Sequence, residues 1–436
     1  MDDGQRQRGA GWKMDAMRNV RAVVGIGLGT RSAFCACMDG PRPVMVPSRR
    51  GQASTPALIG WDEKKDEWVV GEDVVKLFFQ GCAVWPVLGR RAEGFRACRQ
   101  ARTEEEVLTP LFRVLREDAE VFLGRFVSSC VVALPGGFPV ERREAMTRAA
   151  AAAGLDETRF LSESAALALS FDREGRFLLL DFGAEEASLF VVEGKGVVLD
   201  SAVVPVGGGD FDSALAEWLC ERLGLTPPEG EAPPFWQALL WEAESLKIAL
   251  SSLQSCKWRP SPEFSAQFFQ SLLRSDPIQV DREDLERVAR FPIRRVVNAL
   301  ERLWERYAPD RLFLAGGSSR IPLLRETLKK EDRLSFCAEG AAALGAALFA
   351  RTGEEPTLAA SPRRRLRELK LRLVPLETLL SETQVQRLRA LTDQIDKLEN
   401  DVPSVNVLEG VVKELETTLT VKGNADYSGL HNYARK

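Results

Sequence analysis

Short apolar runs separated by glycine turns open the first half of the chain. The run at residues 23–28, VVGIGL, is followed by a second apolar run at 34–38, a turn at Asp39-Gly40 and a third run at 44–46. Apolar runs of this length between turn residues are typical of β-strands. The pattern therefore predicts a strand, a glycine turn, a second strand, a tight turn and a third strand.

The same pattern returns in the second half of the chain. Residues 177–184 read FLLLDFGA, and apolar runs follow at 188–192 and 197–199 around a turn at 193–196. Laid together, the two halves place Gly27-Leu28-Gly29-Thr30 on Asp181-Phe182-Gly183-Ala184. A repeated unit indicates duplication, and ligand sites often lie between domains. The repeat predicts a duplicated α/β fold with two lobes and a cleft between them.

Periodicity and turn residues also predict the elements between and after these hairpins. Gly154 is placed to cap the end of one helix in the left-handed conformation. The predicted elements are a strand at 130–134, helices at 140–153, 162–170, 211–223, 234–251 and 282–307, a strand at 311–315 and a last helix at 339–350.

The character of the sequence changes near residue 353. A Pro/Arg stretch at 361–365 has the composition of a solvated linker, and apolar residues then repeat at heptad-like spacing over 388–402. Pro403 ends this pattern, and a second one runs over 408–419. We expect a C-terminal α-helical hairpin that either packs on the main body or binds a partner protein. The predicted domains are a disordered leader (1–20), lobe I (21–172), lobe II (173–352) and the linker with its hairpin (353–436).

Composition narrows the classes of function. The 436 residues are 45% hydrophobic and 28% charged, a balance typical of a globular protein of two or three domains. The net charge of −4 comes from interspersed charges of both signs, so nothing favours nucleic acid as a partner. No run of 18 apolar residues occurs, so no membrane span is expected. The polar N-terminal residues carry no apolar signal core, and we expect a cytoplasmic protein.

Histidine and cysteine usage excludes several kinds of catalysis. The only histidine is His431, so Ser-His-Asp or Cys-His catalysis and a histidine-ligated metal are not expected. Cys35 and Cys37 form the one close pair among eight cysteines and fall on one side of a predicted strand. No second pair completes a zinc site, so we expect buried, reduced thiols.

Eight segments together resemble the ATPase domain of the 70-kDa heat-shock (DnaK-type) chaperone family. Each segment alone is a weak signal, but they occur in the family's order over roughly residues 20–350. The segments are VVGIGLGTRS, STPALIGW with VVGEDVVKL, VVALPGGFPVERREAMTRAAAAAGL, FLSESAALALSFD, FLLLDFGAEEASLFVV, VPVGGGDFDSAL, EAESLKIALSS and LFLAGGSSRIPLL. The resemblance implies an actin-like, ribonuclease H-like ATPase fold.

The resemblance also assigns roles to individual residues. Lys76, Glu163 and Asp181 match the catalytic positions, and Asp181 matches a position that holds Mg²⁺ through water. The implied cofactor is ATP or ADP with Mg²⁺. Glycine turns in such a site let backbone amides approach phosphates. The matching nucleotide-binding residues are Thr30, Gly207, Gly208, Glu244, Lys247, Ser251, Gly316, Gly317, Ser318 and Arg320.

The phosphate side departs from the family pattern. Gly27 stands where the first loop should supply an aspartate, as its repeat partner Asp181 indicates. The second loop should read Asp-Leu-Gly-Gly-Gly-Thr-Phe-Asp. Here the changed positions are Ala184, Glu185, Glu186 and Ser188. At ~4 Å and an effective dielectric constant near 20, one like-charge pair costs about 4 kcal/mol. Because side chains alternate along a strand, only one of the two glutamates should point inward.

On the adenosine side, Ile248 replaces an arginine that in the family stacks on adenine. The sequence of the tail also lacks a clear match to the family's peptide-binding β-domain. Each retained residue has a plainer explanation as well: Lys76 as a surface lysine, Gly316-Gly317 as a turn after a strand, and Asp181 as inherited scaffold.

Three functions remain open at this stage. The first is a degenerate chaperone-family protein that hydrolyses ATP weakly or not at all, binds adenine nucleotide weakly or takes no cofactor, and acts by binding a partner protein. The second is a working ATP-dependent, chaperone-like switch with slow hydrolysis. The third is another actin-like protein, such as a sugar kinase or a filament former, although neither a catalytic base nor a second substrate pocket is evident.

Overall fold

The structure is a computed structural model, and it describes most of the chain between residues 22 and 352. The described ranges are 22–80, 82, 84–88, 103–135, 138–171, 175–194, 197–228, 234–271, 276–328 and 331–352. All of them belong to one compact unit, residues 1–357. The predicted leader at 1–20 and the predicted linker and hairpin at 353–436 lie outside the described residues.

Strands and helices alternate along this unit. The strands are β1 (Ala22–Leu28), β2 (Ser32–Asp39), β3 (Arg42–Val46), β4 (Thr55–Pro56), β5 (Leu58–Asp62), β6 (Glu67–Val70), β7 (Val84–Pro86), β8 (Val127–Leu134), β9 (Glu157–Ser162), β10 (Arg176–Phe182), β11 (Ala187–Glu193), β12 (Val197–Val204), β13 (Ser255–Trp258), β14 (Ile278–Asp281), β15 (Arg311–Ala315) and β16 (Leu334–Phe336). The helices are α1 (Asp73–Phe79), α2 (Glu104–Leu123), α3 (Val140–Ala152), α4 (Glu163–Leu169), α5 (Gly208–Arg222), α6 (Pro234–Leu250), α7 (Pro262–Phe268), α8 (Arg282–Tyr307), α9 (Pro322–Leu328) and α10 (Ala341–Thr352), with a 3₁₀ turn at Gly317–Arg320.

Two mixed sheets have the same topology, and this confirms the internal repeat. The first sheet has the order β3-β2-β1-β8-β9, and the second has the order β12-β11-β10-β15-β16. In each, the first strand is antiparallel to the second strand of its hairpin and parallel to the strand on its other side. We call the first sheet with its helices the first lobe and the second sheet with its helices the second lobe.

Each lobe has its own apolar core. In the first lobe, the buried side chains of β1 and β8 pack with those of α2 and α3. In the second lobe, β10 and β11 pack with α5, α6 and α8. The strands at the centre of each sheet are covered on both faces, which explains why they are near-continuous apolar runs.

Local signals account for the helix ends. Helix α2 begins with a capping box, in which the Thr103 side chain accepts from the amide of Glu106, and ends at Gly124 in the left-handed conformation. The predicted helix at 282–307 and the predicted strand at 311–315 are confirmed at those bounds. The predicted helix at 234–251 is observed as Pro234–Leu250.

The last described helix, α10, lies late in the sequence but packs on the first lobe. Its backbone runs so close to β1 that a Cβ atom on Gly25 would overlap Ala347. Gly345 of α10 lies equally close to the carbonyl of Ala166 on α4. Because glycine has no side chain and alanine a small one, the Ala- and Gly-rich α10 can bring its backbone close to the backbones of β1 and α4.

A small three-stranded sheet, with the order β6-β5-β7, extends the first lobe. Helix α1 packs beside this sheet and places Val74 and Phe78 in the core of the second lobe. The rings of Phe78 and Trp241 lie 4.9 Å apart, edge to face. Helix α1 therefore joins the two lobes through apolar contacts. Within the described residues, no helix combines the length and apolar character needed to cross a bilayer.

Candidate functional site

The two glycine turns predicted from the repeat have the same geometry. The amide of Gly29 donates to the carbonyl of Ser32 at 3.0 Å, and the amide of Gly183 donates to that of Glu186 at 3.0 Å. The first turn carries Thr30 and connects β1 to β2, whereas the second connects β10 to β11. The turns face a common region where the two lobes meet.

The structure places Gly27 and Asp181 at equivalent positions of their hairpins. Gly27 pairs with Phe34, and Asp181 pairs with Ser188, each two residues before its turn glycine. A Cβ atom on Gly27 would lie 3.0 Å from the backbone nitrogen of Ala343 in α10. An aspartate at position 27 therefore needs a shift of this helix, a constraint that the repeat alone does not reveal.

Asp181 has different surroundings at its equivalent position. A Cβ atom on Gly316 would lie 2.6 Å from the Asp181 carboxylate and would overlap the carbonyl of Phe182. Gly316 also has a φ of 78°, which favours glycine. The Gly-Gly turn is therefore more than a connection after a strand, because its first glycine makes room for Asp181.

Three acids form what we call the carboxylate cluster: Glu163, Asp181 and Glu186. Glu163 is the first residue of α4, and Glu186 lies in the second turn. The hydroxyl of Ser188 donates to the Glu186 carboxylate at 3.3 Å, and Ser188 is the cross-strand partner of Asp181. Glu186 is thus the inward-pointing member of the Glu185-Glu186 pair.

Burial and the neighbouring carboxylates raise the pKa values of two acids in the cluster. Burial and the neighbouring Glu186 carboxylate raise the pKa of Asp181 to about 6. Burial, followed by the charges of Asp181 and Glu186, raises the pKa of Glu163 well above its usual value. Among the described residues, no group of three acids, cysteines or histidines has an arrangement that could hold a metal ion directly.

The amides at the start of α5 already have acceptors within the protein. Gly208 donates to the carbonyl of Gly183 at 3.0 Å, and Gly209 donates to that of Ala184 at 2.7 Å. The amide of Gly207 donates to the Asp210 carboxylate at 2.7 Å. Of the two predicted phosphate-covering glycines, Gly208 is therefore bonded to the second turn and Gly207 to Asp210 of the same helix, so binding of an anion there would require these hydrogen bonds to break.

The predicted adenosine side is assembled from three elements. Helix α6 carries Glu244 and Lys247, and Ser251 directly follows it, with its hydroxyl donating to the carbonyl of Lys247 at 2.9 Å. Lys247 is buried, forms a 2.7 Å ion pair with Asp212 of α5 and donates to the carbonyl of Gly208 at 3.3 Å. This part of the site is compact and its charges are paired.

The 3₁₀ turn completes this side. The hydroxyl of Ser318 donates to the carbonyl of Gly183 at 2.8 Å, so the turn is tied to the second glycine turn. Position 317 is open, because an added Cβ would meet nothing within 4 Å. Arg320 is exposed. Ile248, at 61% exposure, gives α6 an uncovered apolar side chain next to Lys247.

Two charged residues outside the predicted set, Arg31 and Asp212, form an ion pair where the two lobes meet. Arg31, in the first turn, forms ion pairs with Glu244 at 3.3 Å and with Asp212 at 3.6 Å. The two acids belong to the second lobe, so the guanidinium spans the cleft. Burial raises the pKa of Asp212 to about 6, although the Lys247 ammonium opposes this shift. Both residues lie inside the quoted family-like segments, but their pairing depends on how the lobes meet.

Lys76 has surroundings unlike those of the other predicted residues. Its side chain is 76% exposed, and its ammonium pairs at 3.0 Å with Asp73 on the same helix. The causes of the shifted pKa values in the carboxylate cluster include no lysine. The structure does not bring Lys76 to the cluster, and its catalytic role stays a prediction.

The two ends of the cleft differ in how well they fit an adenine nucleotide with Mg²⁺. The adenosine side offers paired polar groups, an open glycine position and an exposed isoleucine, which suit an adenosine moiety. The phosphate side offers three carboxylates and amides that are already bonded, which do not suit a polyphosphate. In this arrangement the residues fit the nucleoside part of such a cofactor and do not fit its Mg²⁺-phosphate part.

Two lobes that repeat one hairpin and one sheet order, with ion pairs between them, define a duplicated α/β protein. The sequence model of the family described as Hsp70 protein matches residues 95–370, more than half of the chain. The chain therefore belongs to the Hsp70 family.

Individual relatives are distant. The chain is 26% identical over 386 residues to chaperone protein dnaK1 of Synechococcus elongatus, covering 75% of this chain and 57% of the relative. It is 25% identical over 376 residues to chaperone protein dnaK of Gracilaria tenuistipitata var. liui, covering 75% and 60%. It is 28% identical over 380 residues to chaperone protein DnaK 1 of a Synechococcus species, covering 75% and 50%. The chain thus spans between half and three-fifths of the length of these relatives.

Proposed function

We propose that this Hsp70-family protein is a degenerate ATPase that hydrolyses ATP weakly or not at all and acts by binding a partner protein. The observation that carries the proposal is the carboxylate cluster at the phosphate side of the cleft. Asp181 and Glu163 are the acids expected to serve Mg²⁺ and water, and Glu186 lies beside them. A third negative charge there opposes a polyphosphate and favours protonation of the acids that would be needed in ionised form.

Backbone hydrogen bonding supports the same proposal. Phosphate binding of this kind depends on free amides at glycine turns and helix starts. Here the amides of Gly208 and Gly209 are bonded to the turn at 183–184. A phosphate would have to break these bonds and displace the turn, so part of its binding energy would be lost.

Weak adenine-nucleotide binding is part of the proposal because the adenosine side is well assembled. Lys247 and Ser318 approach the same glycine of α5, and a Cβ on Gly208 would lie 3.1 Å from the Lys247 ammonium. The partner protein is proposed to bind through the C-terminal segment, where the sequence predicts a helical hairpin. That segment lies outside the described residues.

Restoration of the second loop tests this proposal. The variant Ala184→Gly, Glu185→Gly, Glu186→Thr with Ser188→Asp introduces the family-like loop, and Glu193→Gln serves as a control that removes an exposed charge elsewhere on the hairpin. We expect single-turnover ATP hydrolysis to be near background in the natural protein and the control. It should rise about tenfold or more in the loop variant, if one removed charge is worth about 1.4 kcal/mol. Robust hydrolysis by the natural protein would contradict the proposal.

The alternative function is an ATP-dependent, chaperone-like switch with slow hydrolysis. It is favoured by one observation, that the Asp181 charge helps raise the pKa of Glu163, so the two acids lie near each other. Measurable turnover in the natural protein that is lost in Asp181→Asn would support this alternative.

A further inference from the structure

The two lobes face each other across a network of four charges. Arg31 comes from the first turn, Asp212 from α5, and Glu244 and Lys247 from α6. Lys247 pairs with Asp212 at 2.7 Å, and Arg31 reaches Glu244 at 3.3 Å and Asp212 at 3.6 Å. Two positive and two negative side chains make the network neutral. Arg31 is its only contribution from the first lobe.

Because Asp212 is buried, loss of one positive charge from this network would be costly. The Asp212 side chain is 1% exposed, and the Glu244 charge raises its pKa further. A buried charge pair with one partner removed leaves an uncompensated charge, which is costly. Without Arg31, Asp212 would keep only Lys247, and Glu244 would lose its one ion pair among the described residues. Glu244 is already 22% exposed, so the cost falls on Asp212, whose hydration requires the structure around it to open.

The backbone of Arg31 is held in place for this contact. Its carbonyl accepts from the amide of Ala57 at 3.0 Å, and the following residue, Ser32, pairs with Pro56 of β4. The guanidinium therefore projects from a turn that is fixed on both sides. A preorganised arginine loses little conformational entropy when it pairs with two carboxylates.

We propose that Arg31 is a positioning residue that holds the two lobes together across the cleft. It does so through Glu244 and Asp212. Glu244 is also a residue predicted to face adenosine, so a ligand on that side meets an acid that already has an internal partner. These ion pairs join the lobes whether or not the protein hydrolyses ATP.

Hydrogen–deuterium exchange of the nucleotide-free, full-length protein tests the proposal. Peptides that cover residues 29–34 and 241–250 report on the two sides of the cleft. The test variant is Arg31→Ala, and Arg31→Lys retains the charge with a simpler head group. The matched control is Arg49→Ala, because Arg49 also pairs with a buried acid, Asp118 at 3.1 Å, but within the first lobe.

We expect Arg31→Ala to speed exchange in both peptides about tenfold, the change that follows from a loss of about 1.4 kcal/mol in the opening equilibrium. Arg31→Lys keeps the charge but has one nitrogen for two carboxylates, so it should recover only part of the protection, and Arg49→Ala should leave both peptides unchanged. If Arg31→Ala does not fold, Glu244→Gln removes one of the two ion pairs that Arg31 makes with the second lobe, and a smaller rise in exchange is expected. Unchanged exchange in the Arg31→Ala or Glu244→Gln variant overturns the proposal. An equal rise in Arg49→Ala overturns it as well, since the effect would then reflect general destabilisation.

Discussion

At the scale of single residues, the two ends of the cleft differ in which groups surround their acidic side chains. On the adenosine side each acid has a basic partner, as Lys247 with Asp212 and Arg31 with Glu244 illustrate. On the phosphate side, the causes of the raised pKa values are burial and other carboxylates. Glu186 matters most here, because its charge raises the pKa of both acids expected to serve catalysis.

Removal of the Glu186 charge should strengthen nucleotide binding. We expect Glu186→Gln to lower the pKa of Asp181 and to tighten MgATP binding by about tenfold, which corresponds to about 1.4 kcal/mol. Isothermal titration calorimetry with MgATP measures the change. Glu185→Gln is the matched control, since it removes the same charge from the neighbouring position. Equal effects of the two substitutions would show that the specific position of Glu186 does not matter.

Asp212 should make the stability of the protein depend on pH. Burial raises its pKa from 3.8 to about 6 in the folded protein. Between these values the folded state holds a proton that the unfolded state has lost, so the free energy of unfolding falls as pH rises. Relative to Asp212→Asn, the natural protein should therefore gain stability when the pH is lowered from about 7.5 to about 5.

Urea unfolding of both proteins at the two pH values measures this difference. The constant cost of leaving Lys247 without its carboxylate partner cancels in the comparison between pH values. A relative loss of stability of the natural protein at the lower pH would contradict the assignment of the raised pKa to Asp212.

Close backbone packing limits what can change at the scale of elements. Helix α10 lies against β1, and the backbone nitrogen of Ala343 is 3.0 Å from a Cβ placed on Gly27. Position 27 carries no aspartate, and the backbone of α10 occupies the space that an aspartate side chain would need there. Restoration of the second loop is the simpler change, because the turn at 183–186 faces the cleft.

Gly27→Asp should accordingly destabilise the fold. We expect a loss of about 1–3 kcal/mol in the free energy of unfolding, the usual range for overpacking a tight site. Gly317→Asp is the control, because an added Cβ at position 317 meets nothing within 4 Å. Chemical unfolding of both variants checks the difference. If Gly27→Asp unfolds like the natural protein, the packing of α10 on β1 is looser than the structure indicates.

The sequence predicted elements well where the signal is local. The paired hairpins followed from apolar runs around glycine turns, and α8 and β15 followed from periodicity and turn residues. The β13–β14 pair was missed, because its strands are separated by α7 and pair over a long distance in sequence. Helix α2 was also missed, although its capping box at Thr103 and Glu106 was a usable local signal.

The roles of the site residues stay a prediction, although part of their arrangement followed from their spacing. The spacing of Glu244, Lys247 and Ser251 placed them on one helical face, and they do lie together at α6. The contact of Arg31 with Glu244 and Asp212 could not be predicted, because it depends on the distance between two lobes far apart in sequence. The position of Lys76 relative to the cleft depends on the orientation of α1, which periodicity does not determine.

At the scale of the whole molecule, the duplicated lobes form one unit in which α1 and Arg31 both cross between the halves. The chain spans between half and three-fifths of the length of its curated relatives. What the fold supplies is a cleft whose predicted adenosine side is well assembled and whose predicted phosphate side is acidic. That asymmetry is the basis of the proposed function.

The most direct test is isothermal titration of the purified full-length protein with ATP and ADP, with and without Mg²⁺. We predict that neither nucleotide binds in the micromolar range and that Mg²⁺ does not strengthen binding, in a protein shown by circular dichroism to be folded. Micromolar or tighter binding that depends on Mg²⁺ would contradict the proposal, because the second turn would then accept phosphate despite Glu186. The protein would in that case be assigned as an ATP-dependent switch.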